Sequence, residues 1–129
     1  MKIFKILIPV FNDWESLSRL LNEIDKNIKN IKDSQFECLI INDASTNKNP
    51  GIKVPPNIKS LEIIDMKENR GHARCNAFGI RYLSLREDFD YLILMDGDGE
   101  DRPEEIVLLV EKITENPNTS VVAKRIKRS

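Results

Sequence analysis

Three short apolar runs, each halted by an acidic or amide side chain, set the terms for this fold. Ile3 to Val10, Phe36 to Ile41 and Tyr91 to Met95 are rich in β-branched and other apolar residues. Such near-continuous runs are the pattern of strands covered on both faces of a parallel sheet. Leu61 to Met66 is expected as a further, shorter strand, and Ser120 to Ala123 as the start of a fifth. Between the strands, Leu17, Leu20, Leu21, Ile24 and Ile28 recur at helical spacing, with Asn12 or Asp13 placed to cap the helix start. Gly71 to Leu85 reads as a second helix, apolar at Ala73, Ala77, Ile80 and Leu83. Pro103 fits the first turn of a third helix, whose apolar face is Ile106, Leu109, Val110 and Ile113. Asn47 to Asn57 holds three prolines and a glycine and is expected to be a loop.

Strands alternating with helices imply an α/β domain, a three-layer sandwich with a mainly parallel sheet. Residues 1–129 suit one such domain, with no repeat and no low-complexity tract. Ligands of these sheets bind beyond the carboxyl ends of the strands. Polar residues gather at those ends here: Asn12-Asp13, Asp43 to Ser45, and Asp96 to Asp98.

Composition removes several function classes. Twenty basic against 21 acidic side chains leave a net charge of −1, without the basic excess that a nucleic-acid binder needs. Cys38 and Cys75 are too few for a disulfide framework or a zinc cluster, and Cys38 is expected to pack as a small hydrophobe. The opening apolar run is too short for a signal peptide, and no stretch approaches the roughly 20 apolar residues of a membrane helix. A cytoplasmic protein is the expectation.

Asp96-Gly97-Asp98 carries the strongest chemistry. A buried strand delivers two carboxylates separated by one small residue, and like charges held this close favour a cation between them. Carboxylate oxygens suit Mg²⁺ or Mn²⁺, which keeps positions open for phosphate oxygens. Glu100 is either a third ligand or a solvent-facing side chain; the alternative for the whole segment is a polar turn. Asp43 can accept from a base N–H or a ribose hydroxyl, or it can close an Asx turn. Arg70 and Arg74 lie four apart at a helix start, with Gly71 allowing close backbone approach, so a diphosphate is a candidate ligand beside a merely solvated turn. His72, alone of its kind, is read as structural, and Lys124 to Arg128 as a solvated basic end, with contact to phosphate or an anionic lipid surface as the alternative.

Taken in order, these segments resemble the family 2 glycosyltransferases, polyprenol-phosphate sugar transferases among them. Ile8-Pro9-Val10-Phe11-Asn12-Asp13 is similar to the family's first strand and turn. Ile40 to Thr46 resembles its Asp-Asp-Gly-Ser segment, with Asn42 and Ala44 in place of the first aspartate and the glycine. Asn69-Arg70-Gly71 through Arg74, Asn76 and Gly79 resembles its Asn-x-Gly … Ala-Arg-Asn-x-Gly helix, and Asp96-Gly97-Asp98 its metal-binding motif. Glu100 to Glu104 and Val121 to Arg125 are similar to the polyprenol-phosphate branch.

The resemblance implies a truncated GT-A fold that binds a UDP- or GDP-type sugar. Pro9, Phe11, Asn12, Asp13, Asp43 and Ser45 would hold the nucleoside, and Arg70, Gly71, Arg74, Asp96 and Gly97 the diphosphate. Asp96, Asp98 and Glu100 would hold Mg²⁺ or Mn²⁺. It further implies inverting transfer and association with a membrane surface or a polyprenol phosphate. No catalytic base is evident, because the acceptor-binding half that supplies it in the family is expected to be missing. The competing expectation is therefore a nucleotide-binding remnant or partner subunit without catalysis. Haloacid-dehalogenase-type phosphatases also use Asp-x-Asp, but carry threonine or valine where Glu100 stands and place the motif near the domain start. A calcium loop fails at Asp101 and Val107.

Overall fold

The computed structural model of the chain describes residues 1–96, 102–115 and 123–125. Strands β1 (Lys2–Val10), β2 (Ser34–Asn42), β3 (Ser60–Asp65), β4 (Tyr91–Leu94) and β5 (Ala123–Arg125) form one sheet in the order β3-β2-β1-β4-β5. Every neighbouring pair is parallel. Helices α1 (Trp14–Ile28), α2 (His72–Ser84) and α3 (Glu105–Glu115) cover both faces, giving the three layers expected.

Alternation along β1 divides the core in two. Phe4, Ile6, Ile8 and Val10 face α1 and α3, while Leu7 packs with Leu39, Ile41 and Leu92 beneath α2. Phe4 stacks on its register partners Phe36 and Tyr91, with ring centroids 4.9 and 5.2 Å away, a cross-strand contact that favours this alignment. Within the run read as apolar, Lys5 is buried and forms an ion pair with its register partner Glu37.

Two helical expectations are corrected. α2 buries Cys75, Asn76, Gly79 and Leu83, whereas Ala73, Ala77 and Ile80 lie on its exposed side. The reason is close approach: a β-carbon on Gly79 would sit 2.5 Å from Leu7 Cδ1, so small residues meet the sheet there, with Leu83 the one large aliphatic side chain of the buried stripe. Asp13 occupies the cap position of α1 without a side-chain capping bond, and only its carbonyl receives the Leu17 N–H. Asn12, at φ 61°, is turned instead toward the loop after β2. Pro103 precedes α3, and its carbonyl accepts the Ile106 N–H. The α3 face itself is as read: Ile106, Leu109, Val110 and Ile113 are all buried.

The strand order positions a site. From β1 the chain continues to β2 and β3 on one side, then returns through α2 to β4 and β5 on the other. The crevice at such a reversal, beyond the carboxyl ends of β1 and β4, is where doubly wound sheets bind ligands.

Candidate functional site

A continuous chain of hydrogen bonds links the ends of three strands. After β1 the Asn12 N–H donates to Ser45 Oγ at 2.8 Å, and the Asn12 side chain joins Thr46 and the Asn47 N–H at 3.0 and 2.8 Å. Ser45 donates from both its hydroxyl and its N–H to Asn42 Oδ1, at 2.6 and 3.1 Å. Asn42 Nδ2 then donates to Asp65 Oδ1 at 2.8 Å. A backbone N–H can meet only an oxygen, so the Ser45 bond fixes which way the Asn42 amide faces.

Asp43 turns the other way. Asn42 continues the side of Ile40, toward α1, and Asp43 the side of Ile41, toward α2. The Asp43 side chain is 1% exposed, and its two oxygens accept the N–H groups of Arg70 and Gly71 at 2.7 and 2.9 Å. Asn69 Nδ2 adds a bond to the Asp43 carbonyl at 3.2 Å. The Cys75 thiol also bonds to this carboxylate; burial first, then that bond and the nearby charge, push its pKa up to about 12. Gly71, at φ 89°, supplies the backbone bend before α2 that this clasp needs.

The other sequence-derived candidates fall around these two features. Phe11 is 40% exposed at the rim, Asp13 is exposed beside it, and Pro9 is buried within β1. Arg70 pairs with Glu68 at 3.1 Å, and Arg74 is exposed on the first turn of α2. His72 is half-buried in that turn. Asp96 is 3% exposed, immediately past β4 at the strand-order reversal. Gly97, Asp98 and Glu100 lie outside the described residues, so Asp96 alone of the acidic ligand set has a described position. Among the described residues no three His, Cys, Asp or Glu side chains form a metal-holding group. Asp65 was not singled out in the sequence, and Asn42 only as a replacement for the first aspartate of its segment; the signal was the polar residue ending each of two adjacent strands.

Among the described residues no helix is long and apolar enough to cross a membrane. Comparison with known proteins agrees with the fold. The undecaprenyl-phosphate 4-deoxy-4-formamido-L-arabinose transferase of Proteus mirabilis (strain HI4320) is 30% identical over 106 residues, covering 81% of this chain and 32% of that protein. The transferase of the same name from Klebsiella pneumoniae (strain 342) is 28% identical over 116 residues, covering 89% of this chain and 35% of its own. The chain thus spans about a third of the length of these relatives. The profile described as "Glycosyl transferase family 2" matches residues 5–129, from within the first strand through every polar turn of the sheet, and the chain belongs to that family.

Proposed function

We propose that this chain is the donor-binding part of a sugar transferase, taking a UDP- or GDP-type sugar and, together with an acceptor-binding part, passing the sugar to a polyprenol phosphate. The observation that carries the reading is the buried Asp96 at the carboxyl end of β4, beside the polar turns that end β1 and β2. The lipid acceptor is suggested by the names of the two relatives.

In this reading the nucleoside lies along the turn from Phe11 to Asp13 and the Ser45 loop. The diphosphate lies toward Arg74, Gly97 and Asp96. Asp96 and Asp98, with Glu100 as a further ligand, would hold Mg²⁺ or Mn²⁺. A metal so bound would offset the charge on the departing nucleoside diphosphate. The chain's own work is to orient the donor: the rigid amide chain fixes the nucleoside turn, and the Asp43 clasp fixes the loop that begins α2. Association with a membrane surface at the cytoplasmic side follows from a lipid-linked acceptor.

Calorimetric titration of UDP and GDP into the purified chain, with and without Mn²⁺, tests this. Binding that requires the metal and disappears in Asp98→Ala is the expected result. A folded chain that binds neither nucleotide would sink the reading. Sugar turnover with an added acceptor would separate a transferase from a nucleotide-binding remnant.

A further inference from the structure

We infer that the outer face of α2 docks on an anionic phospholipid surface, with Arg81 against the headgroup phosphates and Phe78, Ile80 and Leu85 at the acyl boundary. This rests on the reading above that the acceptor is lipid-linked. α2 buries Cys75, Asn76, Gly79 and Leu83 against the sheet. At about 100° per residue, the opposite side of the helix is centred on Arg74, Ala77 and Arg81. Phe78 and Leu85 flank that centre on one side and Ile80 on the other, all three exposed, Leu85 at 82%. A single exposed apolar side chain is ordinary, but three of them around two cations on one helix face make a patch.

The charge of the patch selects its partner. From Asn69 to Arg86 the chain holds four arginines and no aspartate or glutamate, although its net charge is −1. The arginines at either end are paired: Arg70 with Glu68 at 3.1 Å, and Arg86 with Glu62 and Asp88 at 3.0 and 3.3 Å. Arg74 and Arg81, two turns apart on the outer face, pair with no carboxylate among the described residues. Guanidinium groups match phosphate oxygens, and their long stems lie along apolar surface while the heads reach outward. A bilayer surface accepts both kinds of side chain from the same face. A second copy of the chain fits less well, because a two-fold contact through this face would set arginines against arginines.

The position of α2 gives the docking a purpose. The helix begins at Gly71, whose N–H is held by Asp43 at the carboxyl end of β2. A helix laid on the bilayer by its outer face thus keeps the crevice at the strand ends close to the headgroups, where the phosphate of a lipid acceptor would arrive. Arg74, on the first turn, stands where the docking face meets the region proposed for the diphosphate.

The test is co-sedimentation of the 129-residue chain, without nucleotide, with vesicles of phosphatidylcholine alone or of phosphatidylcholine and phosphatidylglycerol in equal amounts. Binding to the anionic vesicles only, weakened by added salt, is expected. Arg81→Gln combined with Leu85→Ser should weaken it about tenfold or more, roughly fivefold of that from the arginine. Both side chains are exposed, so the melting temperature and the UDP and GDP titrations should match the parent. No binding to anionic vesicles, equal binding to neutral ones, or a variant that binds like the parent overturns the inference. A vesicle-free dimer that the double variant abolishes would make the face a protein contact and overturn it as well. Nucleotide binding without vesicle binding sinks this inference alone. Vesicle binding through this face by a chain that takes neither nucleotide sinks the donor reading and leaves the docking face standing.

Discussion

The Asp43 carboxylate is closed over the backbone of Gly71, with Oδ2 accepting the Gly71 N–H at 2.9 Å and Oδ1 the neighbouring Arg70 N–H at 2.7 Å. A buried anion from β2 thus sits at the positive end of α2, taking the place of a side-chain cap that Gly71 cannot provide. Replacing it by alanine leaves two N–H groups without their acceptor. Each such bond to a charged group contributes on the order of 1.5–3 kcal/mol, so Asp43→Ala should destabilise the chain by about 3 kcal/mol or more. Asp43→Asn keeps one acceptor oxygen and should cost less. Urea unfolding midpoints decide it: equal midpoints for the parent and Asp43→Ala would mean that the clasp contributes nothing.

Lys5 and Glu37 make a charge pair within the sheet, with side chains 8% and 15% exposed. Removing one partner strands the other in the sheet, which typically costs about 3–5 kcal/mol, whereas replacing both by apolar residues is often neutral. Lys5→Met alone is therefore expected to lower stability strongly, and Lys5→Met with Glu37→Leu to recover most of the loss. A double-mutant cycle on the urea midpoints measures the coupling. Simple additivity of the two single losses would count against a paired, desolvated bridge.

Both thiols add a dependence on alkaline pH. Burial pushes Cys38 up to about 12, with Lys5 pulling it down and Glu37 adding to the rise; Cys75 reaches about 12 through burial and Asp43. In the unfolded chain the same groups titrate near the ordinary value of 9.0. Between these limits the unfolded state holds fewer protons than the folded one, so stability falls as pH rises. The contribution is whole below about pH 9 and lost on approach to about pH 12. Urea midpoints measured across that range should fall more steeply for the parent than for Cys38→Ala/Cys75→Ala. Parallel curves would show that the thiols titrate alike in both states.

The sheet, its parallel sense and the α1 and α3 faces were legible because long apolar side chains repeat there at a single period. Leu17 to Ile28 offers one apolar face, and in Ile106 to Ile113 the residues at helical spacing, Ile106, Leu109, Val110 and Ile113, are the buried ones. α2 misled because Cys75, Asn76 and Gly79, which carry little hydrophobic signal, make up most of its buried stripe, and Leu83 alone of the residues read as its apolar face is buried. What brings that stripe to the sheet is the tight fit of Gly79 over Leu7, a property of two elements far apart in sequence. The site was legible as a set of strand ends. The division of labour was not, because one step of alternation sends Asn42 toward the exposed amide chain and Asp43 into the clasp. Asp65 escaped notice since its place in the amide chain comes from register with Asn42, and register is set by pairing between strands.

Asn76 separates stability from function within α2. It is 7% exposed on the buried face of the helix, and among the described residues nothing donates to its Oδ1. A buried acceptor left unpaired costs about 1–3 kcal/mol, a penalty that an alanine at the same place does not carry. Against that relief stands the small space the shorter side chain leaves, so Asn76→Ala is expected to be near neutral in stability. Binding should respond differently. The residue lies on the buried face of the first turns of α2, just beyond the Gly71 bend that the Asp43 clasp fixes, so its removal alters the support of the helix start proposed to meet the diphosphate. Titration of Asn76→Ala with the preferred nucleotide and Mn²⁺ is expected to show weakened binding at an unchanged melting temperature. A large drop in melting temperature would instead make Asn76 a packing residue, and unchanged affinity would remove it from the site.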